Sequence, residues 1–336
     1  MTTSPVRDEP ADREPLPTHS SRPAWAPRSR RFRRPIWWFF AYIPAIVPAA
    51  IVIAIAVTLL EASHLHDFGW AFFGLTFNSG TNQFGMLVFI VGSFLTAVPA
   101  LFLSMGIGLG IAIASTTYLP RFLAQILDPF VDLLAGIPSV VYGIWAFVVI
   151  TPIFGLILNP WAVQHISFIP GFAANSMSPT TAGTGLPISI FVLTLMALPI
   201  TTLLIRDALQ SIPKDLWESG LALGATRWEV VRRVSLRHGS RGIWSAGFLG
   251  FGRAIGETVA VAMVIGSTAK LPTNVYDVTY TMAAFMFETL DAAYGSSLYL
   301  SALAELALVL LGITFAVNLL GRRLVAHIYA EQVAGL

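Results

Sequence analysis

A pair of charged residues lies inside a long apolar stretch of the sequence, where charge is costly. Arg253 and Glu257 are four residues apart within residues 242–268, a spacing that places two side chains on one face of a helix. An arginine near the centre of a bilayer costs at least ~2.5–3.5 kcal/mol on insertion scales. Pairing lowers that cost but does not explain why the charges are present, since an apolar pair would pack as well.

Two roles could account for this pair. In the first, Arg253 and Glu257 form a structural ion pair that holds two spans together. In the second, which we favour, Arg253 lines a polar path and transiently binds an anion, because a guanidinium matches an oxyanion bidentately and stays charged. Gly252 and Gly256 each precede one of the charges at a small-xxx-small spacing, which predicts the close approach of a neighbouring helix. We therefore predict a substrate path at Arg253 and Glu257.

A second group of candidate functional residues lies in the polar segment 211–237. Pro213 favours the start of a short helix, and Gly224 is suited to end it. Thr226 and Glu229 then fit a capping box, in which each side chain bonds the backbone N–H of the other residue. We predict two short helices joined at a glycine, although an ordinary amphipathic loop that binds nothing is the alternative. The small residues that would let another protein approach are Ser219, Gly220 and Ala222.

These residues are embedded in a chain with the composition of a membrane protein. Of 336 residues, 55% are hydrophobic and 11% are charged, against about 25% charged in soluble domains. The absence of cysteine excludes disulfides and thiolate metal sites. The two lysines, Lys214 and Lys270, do not belong to a glycine-rich phosphate loop. If ATP drives this protein, a partner must therefore hydrolyse it.

Six apolar runs predict an all-α integral membrane fold with six transmembrane helices. The third run follows Asp128 and Pro129, which we expect to begin its helix. Residues 1–34 have the composition of a disordered basic cytoplasmic tail, which precedes a permease domain at 35–336. With both termini in the cytoplasm, 18 of the 20 Lys and Arg residues lie on the inner side, as the positive-inside rule requires. The six runs cover residues 36–60, 86–118, 133–158, 186–205, 242–268 and 298–320.

Other polar residues carry weaker signals. Glu305 lies inside the last apolar run, where contact with a neighbouring helix and a role in the path are both open. His64, His66 and Asp67 are close together in the first external loop, and we interpret them as solvated residues rather than as a metal site. We expect no metal and no nucleic acid on this chain. The arginines of the N-terminal tail are expected to contact anionic membrane lipid.

The polar loop resembles the coupling loop of the permease subunits of bacterial ABC importers. That pattern is Glu-Ala-Ala, three residues, Gly, nine residues and Ile-x-Leu-Pro, and here Glu218, Gly224 and Leu236 fall at the expected spacing. Gly220 replaces the second alanine, and Arg237 replaces the final proline. In that family the loop docks into a cleft on a separate ATPase subunit.

Three segments extend the resemblance to one kind of importer. Residues 252–266, 224–231 and 133–143 are similar to the phosphate-specific importer permease of the PstC type, and the similarity runs from about residue 85 to 325. It implies a type I ABC importer permease fold and a heterodimer with a second permease of the PstA type. It also implies two ATPase subunits of the PstB type, which would carry ATP and magnesium, and an external phosphate-binding protein of the PstS type. This chain would bind no cofactor and would lie in the bacterial plasma (inner) membrane.

The resemblance also implies residue roles. In the family, the arginine and the glutamate of this span are linked to phosphate passage, and these positions are Arg253 and Glu257 here. Two alternatives stay open: a permease for another oxyanion, such as sulfate or molybdate, and a stand-alone channel or secondary transporter. A membrane-embedded enzyme is disfavoured because the apolar runs contain no Cys and no His. The residues implied to couple to the ATPase are Glu218, Ser219, Gly220, Gly224, Thr226 and Glu229.

Overall fold

The computed structural model describes residues 34–63, 72–172 and 183–334 of the chain. Nearly all of the predicted N-terminal tail, and the residues His64, His66 and Asp67, lie outside this description. The described residues are mostly helical, with one short antiparallel hairpin. The chain divides into two compact units, Met1–Ile53 and Ala54–Leu336, and the candidate path and loop residues belong to the second.

The described elements are labelled in chain order. The hairpin pairs β1 (Phe77–Asn78) with β2 (Gln83–Phe84). The helices are α1 (Arg34–Ala62), α2 (Leu87–Ile113, continued as a π-helix over Ala114–Tyr118), α3 (Arg121–Ala135), α4 (Ser139–Ile166, with two π-helical turns), α5 (Leu186–Gln210), α6 (Lys214–Ala222), α7 (Arg227–Val230, continued as a π-helix over Val231–Ser235), α8 (Leu236–Ile255), α9 (Val259–Ala262), α10 (Met282–Ala293) and α11 (Ser297–Ala334).

Glycines allow the three central helices, α2, α5 and α8, to pack closely. A Cβ atom on Gly108 of α2 would lie 2.9 Å from the hydroxyl oxygen of Thr202 on α5. A Cβ atom on Gly250 of α8 would lie 2.6 Å from the methyl group of Thr201. Small residues are the usual means of bringing helix backbones together in a membrane, where helix association has no hydrophobic driving force. This close-packed centre holds α8, and with it Arg253, in a fixed orientation.

Four described helices are long and apolar enough to cross a bilayer: Leu87–Tyr118, Ser139–Ile166, Leu186–Gln210 and Ser297–Arg323. The apolar helix Ile46–Ala62 is shorter. These correspond to five of the six predicted runs, so the predicted helical membrane fold is confirmed. The count of six spans and the cytoplasmic position of both termini stay predictions.

The predicted start of the third span is wrong. Leu133 belongs to α3, and the spanning helix begins only at Ser139, after the interruption at Gly136–Pro138. Pro129 lies inside α3 rather than at the first position of a helix. The local pattern of acid and proline gave the wrong boundary because Asp128 is engaged by a distant arginine, as described below.

The predicted fifth span, residues 242–268, is not one continuous helix. α8 ends at Ile255, and after Gly256–Thr258 the chain forms only the single turn α9. It then folds back, and Gly266 takes a φ of +88°, a left-handed conformation that suits glycine. The N–H of Thr279 donates to the carbonyl of Ile265 at 3.4 Å, which closes the fold-back before α10. Packing of the returning chain therefore replaces the second half of the predicted helix.

Candidate functional site

Arg253 lies in the last turn of α8, on a face that the other described residues of this chain leave uncovered. Its side chain is exposed, whereas its neighbours Phe251, Ala254 and Ile255 are buried in the core. A guanidinium at depth in a bilayer is stable only when it faces a water-filled cavity or another protein, because contact with lipid is too costly. The Arg253 guanidinium is therefore accessible from outside the described part of this chain.

Glu257 does not form an ion pair with Arg253, so the pairing considered for these two residues at a four-residue spacing is wrong. The helix ends at Ile255, so the two residues are not related by a helical turn. The carboxylate of Glu257 instead accepts a hydrogen bond from the N–H of Ala260 at 3.4 Å, at the start of α9. Both side chains nevertheless line one small crevice, so the structure brings them together without an ion pair in this described region. The other residues of the crevice are Leu193, Met196, Ala197 and Ala254.

Tyr142 is a polar residue of this region that sequence reasoning missed. Its hydroxyl donates a hydrogen bond of 2.9 Å to the carbonyl of Leu134. The neighbouring Gly143 lets α4 approach α9 closely, because a Cβ there would lie 2.9 Å from the Cα of Ala260. Residues 133–205 contain no charged side chain, and Tyr142 was not among the predicted site residues. The sequence feature that could have indicated it is the tyrosine followed by glycine at the end of the 133–143 segment.

The two glycines of the predicted packing motif have different surroundings. A Cβ on Gly252 would lie 3.8 Å from the amide nitrogen of Asn318 on α11, so Gly252 faces a neighbouring helix. A Cβ on Gly256 would meet, within 4 Å, only carbonyl oxygens of its own helix. Gly256 is the residue that ends α8. Among the described residues, no neighbouring helix makes the close approach predicted at Gly256.

An ion-pair cluster that the sequence did not reveal joins α3 to the end of α5. Arg206 bonds Asp128 at 2.8 Å and lies 3.7 Å from Asp132. The Arg206 side chain is only 11% exposed, so its charge needs this compensation. Our expectation that Asp128 begins the helix of the third span is wrong, because Asp128 binds a residue far along the chain. The cluster fixes the end of α5 just before the polar loop begins.

The polar loop, residues 211–237, has the predicted form and is called the two-helix loop below. α6 begins at Lys214, directly after Pro213, and Gly224 ends it with a φ of +82°. Thr226 accepts a hydrogen bond from the N–H of Glu229 at 3.3 Å, and the Glu229 carboxylate accepts one from the N–H of Thr226 at 2.8 Å. The predicted capping box is therefore confirmed. These bonds to Thr226 also lower the pKa of Glu229.

The outer surface of the two-helix loop combines polar and apolar groups. Glu218 and Ser219 are exposed. Leu223, at the tip, is 89% exposed, and Trp228 is also largely exposed. Gly220 faces inward, since a Cβ there would lie 3.0 Å from a methyl group of Val230. Gly220 therefore allows the two helices of the loop to pack against each other. We had expected it to present a small-residue surface to another protein, and it does not.

Glu305 is buried, and the described His, Asp and Glu side chains do not cluster as metal ligands. Glu305 lies on α11 and is 5% exposed, among core residues. Within the described ranges, no group of three or more His, Asp or Glu side chains could hold a metal ion. The charged side chains at the crevice are the Arg253 guanidinium and the Glu257 carboxylate.

Apolar spanning helices, an uncovered arginine on a central helix and a projecting loop with an apolar tip define a membrane transport permease. The chain belongs to the family described as binding-protein-dependent transport system inner membrane components, whose model matches residues 106–329. The members of this family are transport components rather than enzymes.

Named relatives cover most of the chain. The phosphate transport system permease protein PstC of Mesorhizobium japonicum is 35% identical over 293 residues, which is 86% of this chain and 89% of the relative. The protein PstC 1 of Mycobacterium tuberculosis is 36% identical over 248 residues, 73% of each chain.

Solved structures support the fold. A bacterial alginate ABC transporter in complex with a pentasaccharide-bound periplasmic protein matches with a TM-score of 0.56 at 17% identity, covering 87% of this chain and 95% of the other. The inward-facing MetNI methionine ABC transporter matches with a TM-score of 0.51 at 17% identity, covering 75% of this chain and 99% of the other. At such identities the likeness extends to the fold alone.

Proposed function

We propose that this chain is the transmembrane permease subunit of an ATP-driven importer of inorganic phosphate. The observation that carries the proposal is its 35% identity to a phosphate transport permease over 86% of its length. The chain would form half of the translocation path and connect it to a separate ATPase. A permease for another oxyanion, such as sulfate or molybdate, is the second candidate, because a guanidinium can bind oxyanions in general.

The proposed assembly follows from what the chain exposes and lacks. Arg253 needs a polar neighbour, which a second permease of the PstA type would supply across a shared path. The exposed apolar tip at Leu223 suits a cleft on an ATPase of the PstB type, present in two copies. ATP and magnesium would reside there, since this chain has no phosphate loop. An external phosphate-binding protein of the PstS type would deliver the solute to six spans in the bacterial plasma membrane, with both termini inside.

The path residues suggest how phosphate is handled. Arg253 would attract the anion, and Glu257 would accept a hydrogen bond from the proton of hydrogen phosphate, which sulfate lacks at neutral pH. Repulsion between the Glu257 carboxylate and the anion would keep binding weak enough for release.

The test is reconstitution of the chain with its permease and ATPase partners in vesicles, followed by measurement of ATP-dependent phosphate uptake. Arg253→Gln should reduce uptake at least about 100-fold, because two charge-assisted hydrogen bonds of about 1.5–3 kcal/mol each are lost. The complex should still assemble. Lys270→Gln is the matched control, because it also removes a basic charge outside the cytoplasmic loops. Normal uptake by the Arg253 variant would refute the path assignment. Uptake of sulfate but not phosphate would select the second candidate, and transport without ATP or partners would indicate a stand-alone channel.

A further inference from the structure

An open-sided cavity of about 530 Å³ lies between the two-helix loop and the ends of two long helices. From α6 it is lined by Lys214, Trp217 and Leu221, whose spacing places them on one helical face. The outward residues Glu218 and Ser219 are not among its lining residues. The cavity is therefore distinct from the surface proposed to meet the ATPase. The ends of α2 and α5 contribute Ile113, Thr116, Thr117, Leu209 and Gln210.

The charge around this cavity is positive. Lys214 and Arg227 both line it, and none of the described lining residues is acidic. Neither cation forms an ion pair with a described side chain, in contrast to Arg206, which is held by Asp128. The carboxylate of Glu229, two residues after Arg227, is committed to the capping box. Two uncompensated cations thus face one cavity.

The remaining lining suits a ligand that is partly apolar. Ile113 and Leu209 belong to the ends of α2 and α5, so the cavity lies at the ends of two helices that are long and apolar enough to span a membrane. Trp217 lines it as well, and tryptophan is enriched at the depth of lipid headgroups. Basic residues at this depth attract the anionic lipids of the cytoplasmic leaflet.

We propose that this cavity binds a phosphate group, with Lys214 and Arg227 as its cationic contacts. Two sources share this chemistry: the headgroup of an anionic phospholipid and inorganic phosphate in the cytoplasm. A ligand bound here would contact both helices of the loop and the ends of α2 and α5, and would hold the loop against the membrane domain. The proposal concerns ligand retention and does not depend on which solute the protein transports.

The test uses the full chain purified with its partner subunits. Native mass spectrometry would measure retained phosphatidylglycerol in the wild type and in the Lys214→Gln/Arg227→Gln variant. The control is Arg232→Gln/Arg233→Gln, which removes two exposed charges from the same loop outside the cavity. Retention should fall about tenfold in the cavity variant and less than about twofold in the control, because direct charge-assisted contacts are lost only in the first.

A second arm separates the two ligand sources. In lipid-depleted detergent, on an Arg253→Gln background that removes the path arginine, inorganic phosphate should raise the melting temperature if free phosphate occupies the cavity. Retention of lipid alone would identify the headgroup as the ligand. Lys214→Arg/Arg227→Lys keeps both charges and should preserve binding. Equal loss in the cavity and control variants, failure of this charge-preserving variant, or no binding of either ligand to the wild type would overturn the assignment.

Discussion

Removing Asp128 tests whether the ion-pair cluster at Arg206 stabilises the junction before the two-helix loop. At an effective dielectric of ~20, the Coulomb energy of a pair at 2.8 Å is about 6 kcal/mol, and at 3.7 Å it is about 4.5 kcal/mol. Desolvation and solvent screening reduce both values. The Asp128 side chain is 31% exposed and that of Asp132 is 50% exposed, so screening is stronger for the second aspartate.

The expected destabilisation differs accordingly between the two aspartates. Asp128→Asn should lower the free energy of unfolding by about 2–3 kcal/mol, since it leaves a largely buried guanidinium without its close partner. Asp132→Asn should cost less than about 1 kcal/mol, as exposed pairs do. Both substitutions keep the side-chain volume, so the second is a matched control for the first.

Equilibrium unfolding in mixed micelles, combined with a double-mutant cycle that includes Arg206→Gln, measures these energies. The coupling energy between Asp128 and Arg206 should be about 2 kcal/mol. Equal destabilisation by the two aspartate variants, or a coupling energy near zero for the Asp128 pair, would refute the reasoning. The cluster would then be a surface feature without a role in fixing the end of α5.

Three further outcomes are expected. Thr226→Ala removes a helix cap and should lower the stability of the loop by about 1 kcal/mol, which would appear as faster amide exchange at residues 226–230 and weaker stimulation of the ATPase. Thr226→Ser should keep the wild-type exchange rates and the wild-type stimulation. Unchanged exchange in the alanine variant would contradict the capping assignment. The pKa of Glu229 is lowered below its ordinary 4.5, so the stabilisation by its carboxylate is fully present above about pH 4.5 and is lost as the pH falls through the lower folded pKa. Amide exchange at residues 226–230, measured between pH 6 and pH 3, checks this direction. Loss of protection already above pH 5 would contradict it. Gly143→Val places atoms against Ala260 and should lower the free energy of unfolding by about 1–3 kcal/mol. Gly106→Ala is the control and should be neutral or stabilising, because a Cβ at Gly106 would meet no atom within 4 Å. Equal thermal stability of the two variants would contradict the close packing of α4 on α9.

The two-helix loop could be predicted in detail because its structure depends on neighbouring residues. The capping box joins Thr226 to Glu229 across three positions, and Gly224 supplies a left-handed turn that other residues adopt only with strain. The apolar runs similarly predicted the spanning helices, since length and composition decide whether a helix can cross a bilayer. Such features need no knowledge of tertiary contacts.

The rest depended on contacts between distant residues. The helix containing Arg253 stops at Ile255 because the following residues pack under α4 and fold back against the chain near Thr279, and no periodicity in residues 242–268 signals this. Asp128 looked like a helix cap because its partner, Arg206, lies far along the chain. Gly220 matched a family position, but only the structure showed that Val230 fills the space in front of it.

The interruption after Ile255 has an electrostatic consequence for the charges beside it. Arg253 lies in the last turn of α8, where the partial negative charge of the helix dipole favours a cation, and Glu257 lies just before the N–H groups of α9, which favour an anion. Each charge is thus offset by backbone dipoles and neither is neutralised by the other. A continuous helix would have placed the two side chains on one face, where they could neutralise each other, whereas the break leaves a cation and an anion that do not form an ion pair.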